Sequence, residues 1–380
     1  MSAELILNNA KIVLENEIVS GTVLVRDGKI ADISNGSASV AGENFEGDYL
    51  IPGLIELHTD HLEGHYMPRP KVRWNPIASV LAHDAQIATS GITTVLDALR
   101  VGMDEDAEMT PQEIRKLADA IEDSVQQDRL RADHYFHLRC EVSAADCLDG
   151  FAFFENDNRV RLASLMDHAP GQRQFVNLET YATYYQRKLK LSDVEFNAFC
   201  EKRMAQSAEN SGPHRKAIAD FCRTHGIVLA SHDDATTAHV DEAVEQGIQV
   251  AEFPTTLEAA AASKRAGLSV LMGAPNVVRG GSHSGNVSAR ELAEHGHLDI
   301  LSSDYIPFSL IQSTFFLSEA VDKITLPEAI RLVTKNPAEA VGFDDRGVIE
   351  IGKRADLVRV RVDEHIPVVR TVWREGRRVV

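Results

Sequence analysis

Residues 49–60 read YLIPGLIELHTD, an apolar run broken once by Pro52-Gly53 and closed by three polar residues, His58-Thr59-Asp60. A short apolar run bounded by turn residues is the pattern of a strand buried on both faces. In such a strand His58 and Asp60, two apart, share one face. The pattern recurs seven times, as ITTVLDAL (92–99), HYFHLRCEV (134–142), RLASLMDH (161–168), IVLASHDD (227–234), VAEFPTT (250–256), SVLMGAPN (269–276) and LDILSSDY (298–305). Amphipathic segments separate these runs, which is the signature of repeated βα units and a parallel sheet. Thr110-Pro111 before QEIRKLADAIEDSVQQ predicts an N-cap followed by a proline at the first helical position. Gly91, Gly226, Gly247, Gly267 and Gly296 stand where helices should end. Eight units in 380 residues predict an α/β protein with a distorted (β/α)₈ TIM barrel rather than an open sheet.

Outward from this centre the pattern changes. LILNNAKIVL (5–14) and EIVSGTVLVRDGKIADIS (17–34) alternate apolar and polar residues around Asp27-Gly28, a hairpin signal. GVIEIGKRADLVRVRV (347–362) and VVRTVWREGRRVV (368–380) return to that style. Both termini are therefore expected to build one small β-sandwich domain, residues 1–50 with 344–380, around a barrel of residues 51–343. A charged helical insertion, residues 181–210, is expected outside the barrel as a lid or solvated flank.

Hydrophobic residues make up 44% and charged residues 25%, which suits a soluble enzyme. No run approaches the ~20 apolar residues that span a bilayer, so no membrane partner is expected. The N-terminus lacks a basic stretch followed by an apolar one, and Cys140, Cys147, Cys200 and Cys222 form no CxxC pair. Together these favour the cytoplasm. A net charge of −18 argues against a nucleic-acid surface, though local basic clusters can still receive a small anion. Homo-oligomerisation is left open.

Polar residues gather at the ends of the eight runs. The first closes on His58 and Asp60, the third on Glu141, the fourth on His168, the fifth on His232 and the eighth on Asp304. Barrel enzymes place their chemistry at this end of their strands. Imidazole and carboxylate are the ligands of zinc, manganese or iron. His58, Asp60, Glu141, His168 and His232 would hold one or two divalent ions, zinc first among them, with Glu141 as a bridge. A bound divalent ion lowers the pKa of water from ~15.7 to ~7, and Asp304 is placed to take its proton. Other histidines read differently. His65 is a cleft residue at most, His83 within VLAHDAQIATS a helix-surface residue, and His214 beside Gly212-Pro213 a structural residue at a helix start. Glu252 ends the sixth run, where a role behind a metal ligand or in substrate contact is as open as a structural one.

Three basic loops follow strands on the same side. They contain Arg69 and Lys71 in MPRPKVR (67–73), Arg173 in HAPGQRQ (168–174), and Arg279 and His283 in APNVVRGGSHSGN (274–286). Arginine forks and glycine-exposed amides suit phosphate oxygens, so a polyanionic, phosphorylated small molecule is the expected partner.

The terminal β pieces, IPGLIELH (51–58) and Asp304 after the eighth run resemble the amidohydrolase superfamily over essentially the whole chain. Within it HTDHLEGHYMPRP, HAPGQRQF, SHDDAT and GAPNVVRGGSHSGN resemble the PhnM group, the ribose 1-methylphosphonate 5-triphosphate diphosphatases of the carbon–phosphorus lyase route. The resemblance implies cleavage between the α- and β-phosphates with release of pyrophosphate. It makes Asp304 the general base and Arg69, Arg173, Arg279 and His283 phosphate-holding residues. Two features depart from the common superfamily pattern. His-x-Asp stands where many members have His-x-His, and no lysine ends a strand, since Lys188 and Lys190 lie in the insertion. The nearest alternative is a related enzyme cleaving a C–N bond in an anionic small molecule; a scaffold without activity would be expected to have lost these ligands.

Overall fold

Gly53 divides residues 49–60 between two sheets: Tyr49–Pro52 (β5) joins a sheet made by the termini, and Leu54–Thr59 (β6) begins the barrel. A Cβ at Gly53 would lie 2.1 Å from Thr93 Oγ1, so only glycine permits this close crossing. The structure is a computed structural model that describes residues 4–36, 41–103, 109–173, 181–182, 186, 190–281 and 285–380.

The terminal sheet also contains Glu4–Val13 (β1), Ile18–Arg26 (β2), Lys29–Asn35 (β3) and Glu43–Asn44 (β4). Leu357–Asp363 (β14), Ile366–Arg374 (β15) and Arg377–Arg378 (β16) complete it. Its order is β16-β15-β14-β5-β1-β2-β3, with β4 paired to β1, so the two ends of the chain meet in one hydrogen-bonded sheet. Asp27 and Gly28, both at positive φ, make the predicted turn between β2 and β3. Apolar residues alternating along these strands bury Leu7, Ile12, Val23, Ile30, Leu50 and Leu357, with Phe45 stacked on Trp373 at 6.0 Å. Each large side chain fully removed from water contributes roughly 1.5–3 kcal/mol.

The second sheet is the barrel. Its strands are β6, Ile92–Val101 (β7), Asp133–Glu141 (β8), Val160–Met166 (β9), Val228–His232 (β10), Val250–Glu252 (β11), Ser269–Gly273 (β12) and Ile300–Ser302 (β13), in chain order. All eight predicted runs are strands of this sheet. The ring closes where Thr59 bridges Asp304 in parallel, with the Asp304 amide donating to the His58 carbonyl at 3.0 Å. The predicted helix after Thr110 is Pro111–Gln126, with Thr110 and Glu113 bonding reciprocally as a capping box. The five predicted terminating glycines all have positive φ.

Two compact units can be distinguished. One comprises Met1–Asp97, Ala120–Tyr135 and Met272–Val380; the other comprises Ala98–Asp119 and Phe136–Leu271. Within the second, the insertion from Asp193 onward proves to be part of a longer helix, Asp193–His225, started by a capping box from Ser192 and Glu195. His214, expected at a helix start, lies well inside it, because the helix runs on through Pro213. Phe196 and Cys200 on its first turns form a small buried cluster with Tyr181, so this part is more than a solvated flank. Among the described residues no helix is long and apolar enough to cross a membrane, and all four cysteines are buried free thiols.

Candidate active site

In the first unit the barrel seam brings β6 and β13 together. The apolar side chains of Leu54, Ile55 and Leu57 bury β6, and His58 at its end is 1% exposed. Glu56 shares the His58 face by strand alternation. It is fully buried, and its carboxylate accepts from the His58 amide and the Ser303 amide, both at 2.6 Å. Burial pushes the Glu56 carboxyl up to about 7, while the bonds from Ser303 and His58 oppose that rise. One buried acid thus ties the first strand to the last beside two predicted site residues. Asp60 and Asp304 are half-buried, and Asp304 adopts φ 55°, a left-handed conformation that non-glycine residues adopt mainly where surrounding structure enforces it.

The second unit holds Glu141, His168 and His232. Glu141 ends β8, fully buried, and takes hydrogen bonds from Ser143 Oγ at 2.6 Å and the His168 amide at 3.1 Å. Its other oxygen meets His168 Nδ1 at 2.6 Å. Burial would raise the Glu141 carboxyl, but His168, Arg100 and Arg203 hold it well below the usual range. His168 is raised in turn: burial lowers it, and Glu141 and Asp233 more than compensate. His232, at the end of β10, repeats the arrangement, with Nδ1 2.7 Å from Glu252. Glu252 also accepts from Ser164 Oγ at 2.8 Å, and Ser164 meets His137.

Each imidazole is therefore fixed through Nδ1 by a buried carboxylate, which leaves Nε2 as the inner atom. Both Nε2 atoms face Asp233, whose Oδ2 lies 3.8 Å from that of His168 and 3.5 Å from that of His232. The two rings are 5.5 Å apart and nearly perpendicular. Two imidazoles and a carboxylate converging at this spacing, each ring backed from behind, fit a divalent transition-metal ion. Asp233 was not among the residues expected from the sequence. In an extended strand its side chain would point away from that of His232, but φ 58° at Asp233 ends the strand and brings its carboxylate to the same point. Glu252 is placed as support for His232 rather than on the surface. Arg203, 2% exposed on the long helix, had no sequence signal beyond its charge.

Of the expected phosphate contacts, Arg69, Lys71 and Arg279 are exposed, and His283 lies outside the described residues. Arg173 is 5% exposed and pairs with Asp234 and, at 2.7 Å, with Glu242. It lines a cavity of about 500 Å³ with Asp167, Ser207, Arg215, His239 and Glu242. Arg215 is buried there with Nη1 lacking a hydrogen-bond partner. Burial and the neighbouring Arg173 bring its guanidinium down to about 10, so it stays charged at neutral pH. His83, expected on a helix surface, is instead fully buried in the first unit, with Nε2 2.7 Å from Asp97.

A model of the amidohydrolase family matches residues 203–380. Over 378 residues the sequence is 50% identical to the alpha-D-ribose 1-methylphosphonate 5-triphosphate diphosphatase of Escherichia coli, covering 99% of this chain and 100% of the relative. An imidazolonepropionase of Thermoplasma volcanium is 24% identical over 92% of this chain and 85% of its own length. In fold, the chain is similar to the N-acetylglucosamine-6-phosphate deacetylase of Pasteurella multocida, with a TM-score of 0.64 over 99% of both chains at 15% identity. Identity of one half over the full length of both sequences shows that the chain belongs to the alpha-D-ribose 1-methylphosphonate 5-triphosphate diphosphatase family, a branch of the amidohydrolases.

Proposed function

We propose that this protein hydrolyses the 5-triphosphate of a ribose 1-methylphosphonate between its α- and β-phosphates, releasing pyrophosphate and leaving the 5-phosphate. The observation that carries the reading is the pair of carboxylate-backed imidazoles, His168 and His232, converging on Asp233 in a chain of this family. His168, His232 and Asp233 would hold a divalent ion, zinc by its preference for imidazole. His58 and Asp60 are further ligands in this proposal. Glu141, expected from the sequence as a bridging ligand, backs His168 at Nδ1 in this proposal. When bound, a divalent ion polarises a phosphoryl oxygen and lowers the pKa of water toward about 7.

The chain's own residues do the rest. Asp304 accepts the proton of the attacking water at its carboxylate, the water oxygen bonds to the α-phosphorus, and the bond to the bridging oxygen breaks. Pyrophosphate leaves with that oxygen. Arg173 and Arg215 neutralise the triphosphate, assisted by the exposed Arg69, Lys71 and Arg279 and by His283. A cytoplasmic setting, where such a phosphorylated sugar would be made and used, completes the proposal.

Phosphorus NMR of the metal-replete protein with a ribose 1-methylphosphonate 5-triphosphate tests it. Pyrophosphate and a 5-monophosphate should appear together, and Asp304→Asn should slow the release of both by ~10²–10⁴-fold. Stepwise orthophosphate release, or no turnover by metal-loaded protein, would overturn the proposal.

A further inference from the structure

The first unit contains a second histidine cluster that the chemistry above does not use. His61 and His65 stand four residues apart on the helix His61–Tyr66, and so share one face. His83 faces them from the helix Pro76–Thr89. The His61 and His65 rings are 4.7 Å apart, and their centroids lie 5.8 and 6.1 Å from that of His83. His61 Nδ1, His65 Nε2 and His83 Nδ1 are all buried atoms without a hydrogen-bond partner. One nitrogen from each ring lies within 4.8 Å of the other two. Tetrahedral zinc, with Zn–N of about 2.0–2.1 Å, spaces its nitrogens about 3.3 Å apart, which small ring rotations would reach.

What lies behind His83 is as informative as what lies in front. Its Nε2 meets Asp97 Oδ1 at 2.7 Å, and the other Asp97 oxygen meets His134 Nδ1 at 2.7 Å. His134 Nε2 reaches Asp84 at 3.4 Å, and Asp84 accepts from the amides of Arg131 and Ala132. A carboxylate at Nε2 assigns the His83 proton to that atom and leaves Nδ1 with its lone pair toward His61 and His65. Metal-binding histidines are commonly held in this way. Among the described residues the ligand atoms that converge there are imidazole nitrogens, which suits zinc better than magnesium, calcium or manganese.

We propose that His61, His65 and His83 form a zinc site, with solvent at the fourth position, that staples the helix His61–Tyr66 to the helix Pro76–Thr89. The site belongs to the helical layer. Asp97, on the face of β7 opposite that of Ala98 and Arg100 by strand alternation, supports it from the sheet.

The test reads metal rather than turnover, so it stands apart from the proposed activity. Full-length wild type, His61→Asn and His65→Gln are loaded with zinc, dialysed and assayed for zinc per chain, with thermal unfolding in chelator as a check on folding. Wild type should retain one zinc per chain more than either variant, while the chelated proteins melt together. Equal zinc content in all three would overturn the site. Nitrogen-15 histidine spectra of the wild type give an answer that needs no variant to fold. Zinc should shift His61 Nδ1, His65 Nε2 and His83 Nδ1, and unchanged resonances at these atoms would overturn it.

Discussion

His168 and His232 close on a carboxylate, whereas His61, His65 and His83 close on one another. Behind the first pair stand two buried acids, Glu141 and Glu252, one for each ring. Behind the second group stands Asp97, which serves His83 and is shared with His134. The first set is rich in negative charge and sits at strand ends, where backbone turns such as that at Asp233 can aim several donors at one point. The second is built of imidazoles alone and sits on two helices, where it can hold structure. The difference teaches that a histidine's role follows from what its far nitrogen meets and from the element that carries it.

The largest expected effect separates the two clusters by chemistry. Asp304→Asn should lower kcat by ~10²–10⁴-fold, the usual contribution of a general base, with metal content unchanged. Near-normal turnover in steady-state assays would remove Asp304 from the proton-transfer role. Next comes the shared acid of the helical layer. Asp97→Asn strips the partner from His83 and His134 together and should destabilise the fold by about 3–5 kcal/mol in denaturant unfolding. A loss under 1 kcal/mol would mean that the chain Asp84–His134–Asp97–His83 is not an ionic network.

A subtler contrast is Glu252→Gln, which keeps the shape behind His232 but weakens its hold on Nδ1. Metal affinity, measured by competition with a chromophoric chelator, should fall ~10–100-fold; an unchanged affinity would leave Glu252 a purely structural residue. The smallest effect is a pH dependence. Burial works against a charged His134, but Asp97 and Asp84 raise its pKa from 6.5 to about 10. A raised histidine contributes stability that is fully present below about pH 6.5 and lost as pH rises through about 10. The wild-type Tm should therefore decline across that window, and His134→Asn should remove this part of the decline. A variant with the same slope would assign the loss to other groups.

The amino-acid sequence by itself determined the eight strands, the hairpin at Asp27-Gly28, the helix start at Thr110 and the glycine stops, because each rests on local periodicity or on a residue's own backbone preference. It also displayed His58, His168, His232 and Asp304 at strand ends, since strand alternation is readable at a spacing of two. Only the tertiary structure decided the rest. Left-handed turns at Asp233 and Asp304 break the alternation on which that reading depends, so Asp233 was invisible beside His232. Arg173 shows in the sequence only as a basic loop residue, and folding alone pairs it with Asp234 and Glu242, 61 and 69 positions away. His83 looked like surface because its helix is only weakly amphipathic, yet a partner fourteen residues downstream draws it inward: burial of an imidazole becomes favourable once Asp97 satisfies it. Long-range pairing of polar groups leaves no periodic trace in the chain, and it is that pairing which sets His83, His168 and His232, each on a buried carboxylate, apart from exposed histidines such as His225 and His295.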